Sequence, residues 1–481
     1  MQAQRLQRLQ QWLAAQLGEP VEIDAARLLT GGAIQENWKL DLRVAGAPQH
    51  WVLRTDAPSA VATSHSRAEE FALLRAAHDA GVRVPAPHLL CADATVIGAA
   101  FFIVDYVAGT ANGRRIVRDP KIAEFGPPLA RELGRQLALI HRIAPPREDL
   151  AFLGAPPDNA ALARIASYRG YLDAMGAPQP ALEYALRQLE LRAPASTEAV
   201  LAHSDFRSGN YLVADGALSA VLDWEFAQWG DPHEDIGWFC AHCWRFGAAA
   251  REAGGIAARD ELLAGYAELA ERDIDPRLVT YWEIMAALRW AVIALQQGHR
   301  YSAGGEDSLE LALTGCMPPQ MALDALLQLP LLDGAAPGGD LAGGVELAPD
   351  APDAPRNEAA ELLGSARREL LETLLPALPA AHKYTTLMVA NGMAIAAREL
   401  QAGGAGEARE LAALRARYAA ADCSLDALRR RLVADIRSGR GDADGRLRTS
   451  FIETARDALR LSNPGYLRDV QRWLGGEAGA R

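Results

Sequence analysis

Two apolar runs, Tyr211–Val213 and Ala217–Leu222, meet at an Asp215-Gly216 turn, and the polar residues at their outer ends restrict the fold more than anything else in the chain. Asp-Gly between apolar runs is a hairpin signal, because both residue types tolerate the positive φ that a tight turn demands. Asn210 precedes the first run and Asp223 follows the second, so closing the hairpin brings an amide and a carboxylate to the same end. Two adjacent hard oxygen donors suit Mg²⁺, which keeps several waters and is completed by phosphate oxygens rather than by an all-protein cage. Asp205 lies five residues upstream on the loop His203-Ser204-Asp205-Phe206-Arg207-Ser208-Gly209-Asn210, free to face a hydroxyl. This is the equipment of phosphoryl transfer. His203 taken alone reads as a loop residue hydrogen-bonded in place.

A second signature follows in fixed order: Val221-Leu222-Asp223-Trp224-Glu225, then Gly230-Asp231-Pro232-His233-Glu234-Asp235. Single short motifs mislead, whereas an ordered set at matching spacing is specific. The set resembles the aminoglycoside phosphotransferase and choline kinase group, small-molecule relatives of the protein kinases. That resemblance implies an α+β, protein-kinase-like bilobal fold, with a small β-rich N-lobe and a mostly helical C-lobe, and it implies ATP and Mg²⁺ as cofactors. By the same resemblance Asp205 orients or deprotonates the acceptor hydroxyl, Asn210 and Asp223 hold Mg²⁺, and Asp235 braces the loop from behind. Two positions depart from the family pattern: Ser204 replaces the usual Gly, and Arg207 stands where many drug-modifying members carry His. They weaken an antibiotic acceptor without touching the chemistry.

From Val21 to about Gly109 the chain reads as strands interrupted by one helix. Gln35–Val44 and His50–Arg54 carry β-formers around a turn at Gly46-Ala47-Pro48. Gly31 and Gly32 precede the first of these strands, where the family places its nucleotide loop and where glycine lets backbone approach phosphate. Arg54 ends the second strand at the position kinases give to a phosphate-gripping Lys. Arg is permanently charged and binds phosphate bidentately. The resemblance makes Glu70, on a helix over residues 66–80, its partner, with Glu69 as the neighbour that could replace it. Phe101–Val107 is an apolar run between Gly98 and Gly109 and reads as a buried strand. Kinase-like folds turn this strand into the hinge, which assigns the main-chain groups of Asp105 and Val107 to adenine.

These readings divide the chain into an N-lobe over residues 1–109, a C-lobe over 110–330, a linker over 331–356 and a helical domain over 357–481. The linker rests on its Gly, Pro, Ala and Asp content. Beyond it, segments 357–378, 380–400, 407–419, 425–438 and 447–461 show helical periodicity. This tail resembles an uncharacterised all-helical domain fused behind such phosphotransferases, and the fusion points to regulation, homodimer contact or substrate delivery. Lys383, Tyr384, Met388, Asn391 and Arg398 share one of its helices; a packed bundle with a polar rim is the simpler reading than a pocket.

A net charge of -12 and no dense Lys/Arg face argue against a nucleic-acid partner. The five cysteines, at 91, 240, 243, 316 and 423, are scattered and odd in number, which fits a reducing cytoplasm rather than a disulfide framework. Cys240 and Cys243 form a CxxC without a second pair at zinc spacing, on what reads as a buried helix. The N-terminal residues 2–18 have helical spacing without a signal peptide's apolar stretch, and no apolar run reads as transmembrane, so a soluble protein is expected. The acceptor stays open between three readings. One is a small-molecule hydroxyl of the hydroxyacyl-CoA type, since the segment from Asp205 to Phe246 looks like kinase-like domains fused to acyl-CoA dehydrogenases. Another is an aminoglycoside in an acidic pocket built by Glu225, Asp231 and Glu234. The third is a nucleotide-binding regulatory module without transfer.

Overall fold

A computed structural model of the chain describes residues 2–29, 35–56, 64–195, 198–338 and 357–474. Gly31 and Gly32 lie outside the described residues, as does most of the expected linker, from 339 to 356. The chain separates into two compact units, Met1–Ala160 with Ser196–Asp275, and Ala161–Ala195 with Pro276–Arg481. This partition cuts across the boundaries drawn at residues 109, 330 and 357.

The first unit begins with helix α1 (Ala3–Leu17) and a five-stranded antiparallel sheet of β1 (Val21–Leu28), β2 (Gln35–Val44), β3 (Ala47–Asp56), β4 (Pro87–Cys91) and β5 (Phe101–Asp105), in the order β1-β2-β3-β5-β4. Alternation puts Leu40 and Leu42 of β2 and Trp51 and Leu53 of β3 on one face. There they bury against Leu9 and Leu13 of α1 and Phe101 and Ile103 of β5. Helix α2 (Arg67–Asp79) starts with a reciprocal cap, the Ser66 hydroxyl accepting from the Glu69 amide while the Glu69 carboxylate accepts from Ser66 N–H.

After β5 come the short helix α3 (Gly113–Val117) and the long α4 (Ile122–Ile140). Just before α3 runs a bridge to the hairpin: Thr110 and Val213 exchange both backbone hydrogen bonds, at 2.9 and 3.0 Å. The hairpin itself is β7 (Tyr211–Ala214) and β8 (Ala217–Val221), and beside it β6 (Val200–Ala202) pairs with β9 (Gln228–Gly230). Helices α7 (Pro232–Cys240) and α8 (Arg259–Leu269) complete the unit. Helices α4 and α8 approach so closely that a Cβ on Gly265 would stand 1.8 Å from the Arg131 carbonyl oxygen, and one on Gly134 2.0 Å from that of Leu262.

Among the described residues the second unit holds helices and no strand: α5 (Ala160–Met175), α6 (Pro180–Leu191), α9 (Pro276–Ser302), α10 (Leu309–Thr314), α11 (Pro318–Gln328), α12 (Glu358–Glu369), α13 (Leu375–Ala377), α14 (Ala380–Ala402), α15 (Ala405–Tyr418), α16 (Leu425–Arg437), α17 (Arg446–Ser462) and α18 (Pro464–Leu474). Here the partition has a physical origin. The amphipathic faces of α16 and α17 pack on α6 and α11, so helices from before residue 330 and after 357 share one core. The Glu183 carboxylate, buried on α6, receives Arg437 of α16, while Arg187 of α6 reaches Asp442 at 2.7 Å. On α14 the polar positions do not gather into a pocket: Tyr384 is exposed, and Arg398 donates to the Leu461 carbonyl at 2.5 Å. One expectation needs correction, because α9 is long and apolar enough to cross a membrane by length and composition, with a mean hydropathy of 1.5. Two-thirds of that apolar stretch is buried within the protein, as in a core helix.

Candidate active site

The hairpin closes as its turn residues dictate, with Asp215 and Gly216 both at positive φ. The Leu222 amide donates to the Asn210 carbonyl at 2.8 Å, which sets Asp223 just past the same end as Asn210. Both Asn210 amide hydrogens are committed to Asp205, to its carbonyl at 2.9 Å and its carboxylate at 2.5 Å. Of the Asn210 side-chain atoms, the amide oxygen is thereby the one that could ligate a cation. Asp223 adopts a left-handed backbone, φ 70°. Burial pushes its carboxyl pKa up, but the charge and hydrogen bond of Arg54 outweigh this and hold it below the usual carboxylate range. An ionised carboxylate beside an oriented amide oxygen fits Mg²⁺ with phosphate and water completing the shell.

Asp205 is gripped by further donors. Trp238 Nε1 reaches Oδ1 at 2.9 Å, and Arg207 Nε reaches it at 3.0 Å. The Arg207 guanidinium also lies over the Trp244 ring, 4.5 Å from its centroid, a cation–π arrangement that fixes its pose. Behind the loop, the fully buried Asp235 accepts from the amides of His203 at 2.6 Å and Ser204 at 2.8 Å. Its Oδ2 also meets His141 Nε2 at 3.2 Å. Burial would raise the Asp235 pKa; the hydrogen bond and charge of His141 hold it low instead. Ser204 sits at φ 64°, which explains why a glycine suits this place, and its hydroxyl accepts from Gln228 at 3.1 Å. His203 Nε2 contacts the Leu222 carbonyl at 2.9 Å, tying the loop to the hairpin.

Arg54 bridges two carboxylates. Its guanidinium lies 2.8 Å from Glu70 and 2.5 Å from Asp223. Burial alone would lower its pKa, but Glu70, Asp223 and Glu225 overcome that and raise it. Glu69 is occupied in the α2 cap, so of the two candidates only Glu70 meets Arg54. At the end of the sheet, the Asp105 amide donates to the Ala86 carbonyl at 3.0 Å and the Tyr106 amide to that of His50 at 2.9 Å. The strand thus stops at Asp105, and Val107 begins the connector.

Sequence reasoning missed Arg67, Gln35, His141 and Trp238. Arg67, fully buried, pairs with Glu70 and lies 2.9 Å from Asp56, and Gln35 donates to the Glu225 carboxylate. Only Arg67 had a sequence signal, its i,i+3 spacing to Glu70. The acidic pocket expected from Glu225, Asp231 and Glu234 is not built. All three are buried, Asp231 caps α7 by accepting from the His233 amide at 2.8 Å, and Glu225 faces Gln35 and Arg67. Buried among carboxylates, the Glu225 carboxyl is pushed up to about 8, by desolvation first and then by the charge of Asp223.

Residues 25–272 match the model of the phosphotransferase enzyme family, and residues 376–466 match a domain of unknown function, DUF6285. The first match covers half of the chain, and the protein belongs to that phosphotransferase family, with a kinase-like fold and a C-terminal helical domain of the second kind. A crystal structure from Ralstonia eutropha described as a "putative aminoglycoside phosphotransferase" superposes with a TM-score of 0.54 at 21% identity, covering 68% of this chain and 98% of that one. At that identity the likeness speaks to fold alone. Among curated proteins, acyl-CoA dehydrogenase family member 11 of Rattus norvegicus is 28% identical over 293 residues, 55% of this chain and 36% of the relative. Family member 10 of Mus musculus is 28% identical over 184 residues, 37% of this chain and 17% of the relative. The chain therefore spans about a third or less of these relatives' length.

Proposed function

We propose that the protein is a Mg²⁺- and ATP-dependent kinase that transfers the γ-phosphoryl group to the hydroxyl of a small molecule, of the hydroxyacyl-CoA type. The observation that carries the reading is the convergence on one loop and one hairpin end of Asp205, Asn210 and Asp223, with Arg54 joined to Asp223. Bound Mg²⁺ would neutralise charge on the β- and γ-phosphates, held by the Asn210 side-chain oxygen and the Asp223 carboxylate. Asp205, fixed by Trp238, Arg207 and Asn210, receives the acceptor hydroxyl as a hydrogen-bond donor and takes its proton as the bond to the γ-phosphorus forms and the bond from that phosphorus to the β–γ bridging oxygen breaks, releasing ADP. Arg54, braced by Glu70, supplies the phosphate cation. The carbonyl of Asp105 and the amide of Val107 pair with adenine. Catalysis is then placement and charge stabilisation, as a loose phosphoryl transition state requires.

Two features favour an acyl-CoA-type acceptor over a polycationic antibiotic. The carboxylates that would attract a polycation are buried, and the curated relatives are acyl-CoA dehydrogenase family members. Five scattered free cysteines support a cytoplasmic setting. The test is ATP consumption across hydroxyacyl-CoAs and other alcohols, with two variants. Asp205→Ala is expected to abolish transfer while nucleotide still binds, and Asp223→Ala to weaken Mg-ATP binding itself. Nucleotide binding without turnover on any alcohol would favour the regulatory-module reading instead.

A further inference from the structure

The segment that leaves β5 carries an unbalanced group of cations. Arg114, Arg115 and Arg118, on and just after α3, are exposed and line an open hollow of about 450 Å³ together with Asn112, Asp119 and Pro120. Among the described residues none of the three arginines meets a carboxylate within ion-pair distance, and Lys121 is exposed beside them. In a chain of net charge -12 this is a local reversal of sign. Asp119 is the one carboxylate lining the hollow, and its Oδ1 is occupied by the Lys121 amide at 2.9 Å.

The hollow is fixed against the catalytic loop. A Cβ added at Gly113 would stand 2.7 Å from the Phe246 ring and 3.0 Å from Ser208 Cβ, so α3 is packed directly on the residues that follow Arg207. Thr110 is laddered to Val213 on the hairpin, and Arg251 donates to the Val117 carbonyl at 2.9 Å, locking the other end of α3. Three guanidiniums lining one hollow, on a helix that packs against Ser208 of the loop carrying Asp205, suit a planar-faced, multiply charged oxyanion, which Arg binds bidentately.

We infer that the acceptor alcohol carries a phosphate or pyrophosphate group remote from its reacting hydroxyl, and that Arg114, Arg115 and Arg118 seat it. The inference rests on the kinase reading above and specifies which end of the acceptor the enzyme grips. Binding energy gathered on the anion would position the hydroxyl at Asp205.

Calorimetric titration of the full chain saturated with a non-hydrolysable Mg-ATP analogue tests it, with coenzyme A, adenosine 3′,5′-bisphosphate and inorganic pyrophosphate as separate probes. At least coenzyme A is expected to bind, more weakly as salt rises, and the combined variant Arg114→Ala/Arg115→Ala/Arg118→Ala to lose about tenfold or more in that affinity while Mg-ATP binding is unchanged. Binding of pyrophosphate alone would assign the hollow to free phosphates rather than to a nucleotide-like handle. The inference is overturned if no probe binds, if the triple variant binds equally well, or if the ATP analogue displaces the probe. The two readings fail separately: transfer with an unaltered acceptor KM in the triple variant removes the hollow's role, whereas anion binding without transfer to any alcohol removes the kinase.

Discussion

Arg54 lies 2.5 Å from Asp223, so the proposed phosphate cation and one of the two proposed metal ligands are paired with each other. On the proposed kinase reading, Mg-ATP would exchange that contact for phosphate and metal, with Glu70 keeping the guanidinium in place.

Because the guanidinium fork spans Glu70 and Asp223 together, Lys at this position can satisfy only part of the arrangement. Arg54→Lys is expected to keep activity at about a tenth of the parent kcat/KM, and Arg54→Ala to lose about a hundredfold or more, the scale of a missing transition-state contact. Steady-state kinetics with varied ATP checks both; equal losses would show that the fork geometry is irrelevant.

Glu225 supplies a pH prediction for the nucleotide-free protein. Its carboxyl ionises at about 8 in the folded state against an ordinary value of 4.5. Between these values the folded protein holds a proton that the unfolded chain has released, so stability falls as pH rises through this window. Glu225→Gln is expected to flatten that fall, read as Tm against pH. An unchanged slope would exclude Glu225 as its source.

Asp235 accepts two loop amides and faces His141 from a fully buried position. Asp235→Ala leaves these donors unsatisfied and is expected to cost about 3–5 kcal/mol, as breaking a buried pair does. Denaturant unfolding measures it, and a loss under 1 kcal/mol would mean water replaces the carboxylate.

Ser204 bears a left-handed backbone at φ 64°. Gly there relieves the conformational strain but surrenders the Gln228 hydrogen bond and adds chain entropy, so Ser204→Gly is expected to fall within about 1 kcal/mol of the parent. A β-branched residue has no such escape, and Ser204→Val should cost at least about 2 kcal/mol. Equal stability of the two variants in thermal melts would contradict the account.

Much of the fold was legible because its signals are local. Asp215-Gly216 set the hairpin, the alternation around Gly46 set β2 and β3, and periodicity after residue 357 located the stretch from α12 to the end of α13, and α14 to α17, within a few residues. Helix α18 was missed because Asn463-Pro464 reads as an ending, whereas here Pro464 opens a helix, where its missing N–H costs nothing. The division into units was illegible for a different reason. Which amphipathic face meets which is a long-range choice, and nothing in the periodicity of α16 or α17 names α6 or α11 as partner. The site followed the same pattern: the ordered motif gave Asp205, Asn210, Asp223 and Asp235, while Trp238, His141 and Arg67 became visible only once folding brought distant segments together.

The reciprocal hydrogen bonds between Thr110 and Val213 turn the stretch from Val107 to Thr110 into a ruler. Its length in peptide units sets how far the end of the sheet stands from the hairpin of β7 and β8. Deleting a single residue there would present Thr110 to its partner with the wrong face, so this connector tolerates changes of identity far better than changes of count.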